Sequence, residues 1–178
     1  VKYWDKFGNQ LPANPSLSMT LEHSFTETHI FFKPGNVFEQ GGLSFSLDNK
    51  PNEKFEAKLK KVLLKWKEYL PFLEKINLEI LSKNSFPHSA GIASSASGMS
   101  ALALCMVSLE QSLYQRFTDK EFFQKASFLS RLGSGSASRS VFPCYSVWGR
   151  SDYIPNSNDA YALAFERFHP IFATMHDD

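Results

Sequence analysis

A chain of 178 residues is long enough for one domain with a sizeable core, and 43% hydrophobic with 15% aromatic residues, including 17 Phe, excludes a disordered tail. Nineteen Lys and Arg against 18 Asp and Glu leave a net charge of +1. That balance provides no general field for nucleic acid or anionic lipid, so any anion site has to be local. Cys105 and Cys144 lie far apart, with no CxxC or His/Cys ligand pattern around them. This argues against a disulfide framework or a zinc site and points to a reducing cytoplasm. The longest apolar run, around residues 99–109, is too short and too broken by Ser to span a bilayer, and no basic-then-apolar signal opens the chain. Val1-Lys-Tyr-Trp reads as the inside of an element, so further residues are expected ahead of it.

In chain order, Leu17–Leu21 alternates apolar and polar, and Thr28–Phe32 and Leu43–Leu47 are short β-rich runs bounded by Pro, Gly and Asn. Together they predict an antiparallel meander. From Glu53 to Leu70 the residues Phe55, Leu59, Val62, Leu63, Trp66 and Leu70 recur at helical spacing. Lysines 58, 60, 61, 65 and 67 fill the other side and are read as a solvated face with Glu56 and Glu68 as counter-charges. A strand is predicted over Asn77–Ser82, then a loop over Asn84–Ser95, then a buried helix to about Leu113. Thr118 and Glu121 have capping-box spacing and predict a helix to Leu132. A Ser/Gly loop at Gly133–Ser138, an aromatic strand over Val141–Trp148 and a less regular tail complete the pattern. Phe31, Phe32, Phe122, Phe123 and Phe128 are assigned to the core. The five histidines, His23, His29, His88, His169 and His176, show no metal-ligand spacing.

Three segments carry chemistry. Pro87-His-Ser-Ala-Gly91-Ile-Ala-Ser94-Ser95-Ala-Ser-Gly98 packs small residues and hydroxyls ahead of a helix, where unpaired amides and the helix dipole favour an anion. Ser94 or Ser95 could add a hydroxyl to a phosphate or to its Mg²⁺. No Lys follows the last Gly as in a Walker loop, and small residues at a helix start serve close packing equally well, so the residues alone leave both readings open. Ser134-Gly135-Ser136-Ala137-Ser138-Arg139 offers hydroxyls, backbone amides and a guanidinium suited to a carboxylate or phosphate, or else a flexible loop with its Arg in solvent. At the front, Lys2, Tyr3, Trp4, Asp5 and Lys6 place two lysines and a phenol where they could hold a diphosphate, or form ordinary surface.

The loop resembles the phosphate-binding motif of the galactokinase, homoserine kinase, mevalonate kinase and phosphomevalonate kinase superfamily, with Ala93 as in its decarboxylase branch. Ser130-Arg-Leu-Gly-Ser-Gly-Ser-Ala-Ser-Arg-Ser140 and Lys2-Tyr-Trp-Asp-Lys6 resemble two segments of the diphosphomevalonate decarboxylases. The resemblance implies an α+β, two-layer sheet-and-helix fold, the ribosomal-protein-like N-terminal lobe of that family. It makes residues 1–178 the ATP- and substrate-binding lobe, with the second lobe absent or only begun near 169–178.

The implied reaction is ATP-dependent decarboxylation of mevalonate 5-diphosphate to isopentenyl diphosphate in cytoplasmic isoprenoid synthesis, with ATP and Mg²⁺ as cofactors. In the implied site, Ser89, Ala90, Gly91, Ile92, Ala93, Ser94, Ser95 and Ala96 hold the nucleotide, and Ser95 the metal. Tyr3, Trp4, Asp5, Lys6 and Ser134, Gly135, Ser136, Ala137, Ser138 and Arg139 hold the substrate, and Lys2 and Arg139 are catalytic. Two departures stand out. Asp5 replaces the family's Gly and adds a carboxylate near the diphosphate, weakening binding unless it turns away. The family's Asp-x-Gly-x-Asn segment with its catalytic aspartate has no match in the 178 residues. A kinase for another small phosphorylated alcohol and an inactive nucleotide-binding lobe remain open alternatives. No nucleic acid or membrane is expected as a partner, and a homodimer stays open.

Overall fold

The computed structural model describes residues 5–86 and 94–165. In chain order they form β1 (Lys6–Phe7), β2 (Leu11–Pro12), β3 (Ser16–Met19), β4 (Thr26–Pro34), β5 (Leu43–Leu47) and β6 (Lys50–Pro51). There follow α1 (Glu53–Trp66), β7 (Ile76–Asn84), α2 (Ser94–Tyr114), α3 (Asp119–Gly133), β8 (Tyr145–Trp148) and β9 (Leu163–Phe165). The architecture is α+β.

The main sheet has the order β4-β7-β5-β6. Along its strands, period-2 alternation turns Leu43, Phe45, Ile76, Leu78 and Ile80 to a buried face and leaves Ser44 and Glu79 on the open one. Helix α1 packs over β5 and α2 over β4, with α3 against both helices, so the core lies between this sheet face and the helical layer. Trp66, fully buried, ties the layer together by donating its indole N–H to the Leu129 carbonyl at 2.9 Å. A second sheet, β3-β8-β9, and the small β1–β2 hairpin sit beside this body.

The expected meander is corrected. Strand β7 runs between β4 and β5, antiparallel to the first and parallel to the second, while β3 leaves for the other sheet and pairs with β8. The parallel β5–β7 pair needs a long crossover, and α1 supplies it. Helix α1 stops at Trp66 rather than Leu70. Leu70 precedes Pro71, which disfavours helical backbone at that position, and it adopts φ −133° and ψ 69° at the head of a 3-10 turn over Pro71–Lys75 while remaining buried. The aromatic strand begins at Tyr145, because Cys144 sits at φ 58° in the preceding turn. Phe31 and Phe32 are 54% and 53% exposed on the edge strand β4 and are not core; Phe122, Phe123 and Phe128 pack against it as expected. Among the described residues no helix is long and apolar enough to cross a membrane.

Candidate active site

The front segment reaches the site through a tight hairpin. Lys6 pairs with Pro12 and Phe7 with Leu11 around a turn in which Gly8 and Gln10 take left-handed backbone, φ 50° and 64°. The Lys6 ammonium donates to Gln10 Oε1 at 2.6 Å, and Asp5 Oδ1 accepts the Lys6 backbone N–H at 2.7 Å. The Asp5 carboxylate is therefore engaged with the hairpin's own backbone.

The Ser/Gly segment is a buried 3-10 turn over Gly135–Arg139, not a flexible loop. Ser127 of α3 donates its hydroxyl to the Ser138 carbonyl at 2.7 Å, and Ser138 donates to the Gly135 carbonyl at 2.9 Å. Ser146 of β8 donates to the Arg139 carbonyl at 3.0 Å. Ala137 and Ser138 are fully buried, so their side chains build the turn from inside. Gly135 is required by close approach: a Cβ there would meet Trp148 Cη2 at 2.9 Å, Lys6 Cδ at 3.0 Å and Gln10 Oε1 at 3.3 Å. The structure thus lays the Lys6 stem on the turn that ends in Arg139.

Arg139 lines a cleft of about 400 Å³ with Ser18, Thr20, Thr26, Ser97 and Ser100. Its far wall is the first three turns of α2, from Ala96 to Leu104. On the other flank of α2 lies a second cleft of about 230 Å³, walled by Phe45, Leu59 and Ile80, with Lys58, Ser94 and Ser95 at its margin. Phe45 and Phe55 stack there with ring centroids 4.8 Å apart. The start of a 21-residue helix, with its positive dipole end, separates the two clefts. An apolar slot beside hydroxyls and a helix N-terminus is a donor set that fits a nucleotide. Ser95 offers one hydroxyl oxygen of the kind Mg²⁺ accepts beside phosphate oxygens.

Of the expected site residues, Asp5, Lys6 and Ser134–Arg139 come together, while Ser94, Ser95 and Ala96 form the head of α2. Lys2, Tyr3, Trp4, Ser89, Ala90, Gly91, Ile92 and Ala93 lie outside the described residues, as do His88, His169 and His176. Sequence reading missed Ser127, Ser146 and Gln10, which hold the site from neighbouring elements outside the three motifs. It also missed Lys58, whose place at a cleft margin is concealed within a run of lysines. Arg131 lies within the Ser130–Ser140 segment. It is buried, its Nε donates to the Ala160 carbonyl at 2.7 Å and its Nη1 to the Asn9 carbonyl, and burial holds its guanidinium below the usual arginine range. Among the described residues no group of three or more His, Cys, Asp or Glu is placed to bind a metal.

Comparison with known families gives a match over residues 1–162 to the diphosphomevalonate decarboxylase-like N-terminal domain. The chain belongs to this family. The diphosphomevalonate decarboxylase of Candida albicans is 33% identical over 172 residues, covering 92% of the chain and 45% of the relative. Among solved structures, the mevalonate diphosphate decarboxylase from Enterococcus faecalis superposes with a TM-score of 0.70 at 34% identity, covering 92% of this chain and 47% of that one. MDDEF in complex with MVAPP, AMPPCP and magnesium follows at a TM-score of 0.68 and 33% identity, covering 92% and 46%. The chain therefore spans about half the length of the decarboxylases it matches, and its α+β fold is that of their N-terminal lobe.

Proposed function

We propose that the protein containing this chain decarboxylates mevalonate 5-diphosphate to isopentenyl diphosphate, with ATP consumed and ADP, phosphate and carbon dioxide released, in cytoplasmic isoprenoid and lipid synthesis. Residues 1–178 are its ATP- and substrate-binding lobe. The observation that carries this reading is the contact of Lys6 with Gly135 in the turn whose last residue, Arg139, faces a cleft bounded by the head of α2. A relative at 33% identity forms a complex with MVAPP, AMPPCP and magnesium, which supports a substrate and a nucleotide bound together in the whole protein.

The apolar cleft would hold the nucleotide, Ser94 and Ala96 at the head of α2 its phosphates, and Ser95 would lend a hydroxyl to Mg²⁺. ATP with Mg²⁺ supplies the phosphoryl group that makes the tertiary 3-hydroxyl a leaving group. Lys6 and the turn Ser134–Ser138, through Ser134 and Ser136 with Ala137 and Ser138 supporting them from inside, hold the substrate diphosphate, with Tyr3, Trp4 and Asp5 beside it. Arg139 faces the carboxylate that departs as carbon dioxide and fixes its direction, and Lys2 polarises the reacting hydroxyl.

Release of carbon dioxide and ADP from carboxyl-labelled mevalonate diphosphate by the full-length protein tests the proposal. Equal yields are expected. ADP without carbon dioxide would point instead to a kinase for another phosphorylated alcohol, and nucleotide binding without ADP to an inactive lobe. Arg139→Ala is expected to lower kcat by at least about a hundredfold, since it removes charge-assisted contacts to the reacting group.

A further inference from the structure

The β1–β2 hairpin that carries Lys6 has strands of only two residues each, and a hairpin of that size does not hold its place unaided. Within it, Ala13 N–H donates to the Asp5 carbonyl at 3.0 Å, Gln10 N–H to the Gly8 carbonyl at 3.0 Å and the Lys6 ammonium to Gln10. At its tip the hairpin is bonded to the body, where Arg131 of α3 donates to the Asn9 carbonyl. The other arm of the same guanidinium holds Ala160, in a segment that is itself tied down at both ends. Trp148 donates its indole N–H to the Asp159 carbonyl at 2.9 Å, and Ala162 N–H donates to Ser127 Oγ at 2.8 Å. Ser127 and Trp148 are the residues that fix and bound the Gly135–Arg139 turn.

We infer that Arg131 is a positioning residue for the diphosphate substrate: its guanidinium clamps the hairpin tip to the frame that holds the Gly135–Arg139 turn, setting Lys6 over Gly135. Only a planar fork serves here, because one head group must reach two carbonyls from segments far apart in sequence, and a lysine ammonium has no fixed second arm. Its charge, 5.1 Å from the Phe128 ring centroid, stays on the body side of the hairpin, so Arg131 acts through Lys6 and not on the substrate.

This inference rests on the proposed decarboxylase reading for its kinetic consequence, but not for its structural one. In the full-length protein, Arg131→Gln and Arg131→Lys are compared with wild type by hydrogen exchange and by kinetics. Amide exchange over residues 6–12 is expected to quicken by about tenfold or more in both variants while α2 keeps its protection. Unchanged hairpin protection overturns the inference, and Arg131→Lys keeps the test open if the Gln variant does not fold. The KM for mevalonate diphosphate is expected to rise about tenfold with the KM for ATP within about twofold, a split that general loss of structure would not produce. In a double-mutant cycle, Lys6→Ala in the Arg131→Gln background is expected to raise that KM by no more than about twofold, because Lys6 has already lost its place. Full additivity overturns the inference. If wild type does not turn over mevalonate diphosphate, the functional proposal falls, and the exchange result alone decides whether Arg131 is the clamp.

Discussion

Gly135 shows how one missing side chain makes room for a site. Gly135→Ala would place a methyl 2.9 Å from the Trp148 ring and 3.0 Å from the Lys6 stem. Trp148 is fully buried, so the hairpin is the partner that yields. Overpacking of this kind costs about 1–3 kcal/mol, and displacement of Lys6 adds a loss of substrate affinity. Calorimetry with mevalonate diphosphate is expected to show Kd raised by about tenfold, since one displaced cation is a contact of roughly that worth. Asp5 is the contrasting case. Its Oδ1 is taken up by the Lys6 amide, so Asp5→Gly is expected to move KM by less than about threefold, the scale of one exposed hydrogen bond, and a larger fall in KM would show that the carboxylate opposes the diphosphate. The two thiols differ also: Cys105 points at the Thr28 carbonyl and burial raises its pKa, whereas Cys144 is exposed. Alkylation of the native protein near neutral pH should label Cys144 first.

At the scale of elements, α3 is written clearly in the sequence and its cap has a pH signature. Glu121 accepts from the Thr118 backbone N–H at 2.8 Å and from its hydroxyl at 2.7 Å, and these bonds, the first foremost, lower its pKa. A carboxylate lowered on folding adds stability above the ordinary glutamate range and loses it as pH falls through the lowered value. Thermal melts should therefore show the gap between wild type and Glu121→Gln closing on acidification. Between α2 and α3, Lys125 lies 2.6 Å and 2.7 Å from the two oxygens of Glu110, the only charged residue in α2 and 4% exposed. Lys125→Met leaves that carboxylate buried alone and is expected to cost about 3–5 kcal/mol in denaturant unfolding, much of it recovered on adding Glu110→Gln. Helices and the capping box were legible because their signals are local. Strand partners were not, because β7 enters between β4 and β5 only through tertiary packing of α1. The Gly135–Arg139 turn read as flexible from its Ser and Gly content, and its rigidity comes from Ser127 and Ser146, whose roles no local pattern announces. The exposed Phe31 and Phe32 failed the core assignment because composition does not tell an edge strand from a central one.

At the scale of the molecule, the two clefts on opposite flanks of the α2 head would, on the proposed function, give nucleotide and substrate separate pockets side by side. Each ligand alone, at about 100 times its Kd, should stabilise the folded state by about 2.7 kcal/mol, and thermal-shift titrations of the full-length protein test this. Loss of the second shift at saturation with the first ligand would mean a shared site. The same layout has a consequence for biogenesis. Strand β3 pairs with β8, and Lys6 finds its seat only once Gly135 and Trp148 are in place. During synthesis residues 5–21, with Phe7, Met19 and Leu21 still largely exposed in the finished fold, leave the ribosome long before their partners in α3 and β8 exist. The main sheet and α1 can close early, but the corner where Lys6 meets Gly135 closes only after α3 and β8 have been made.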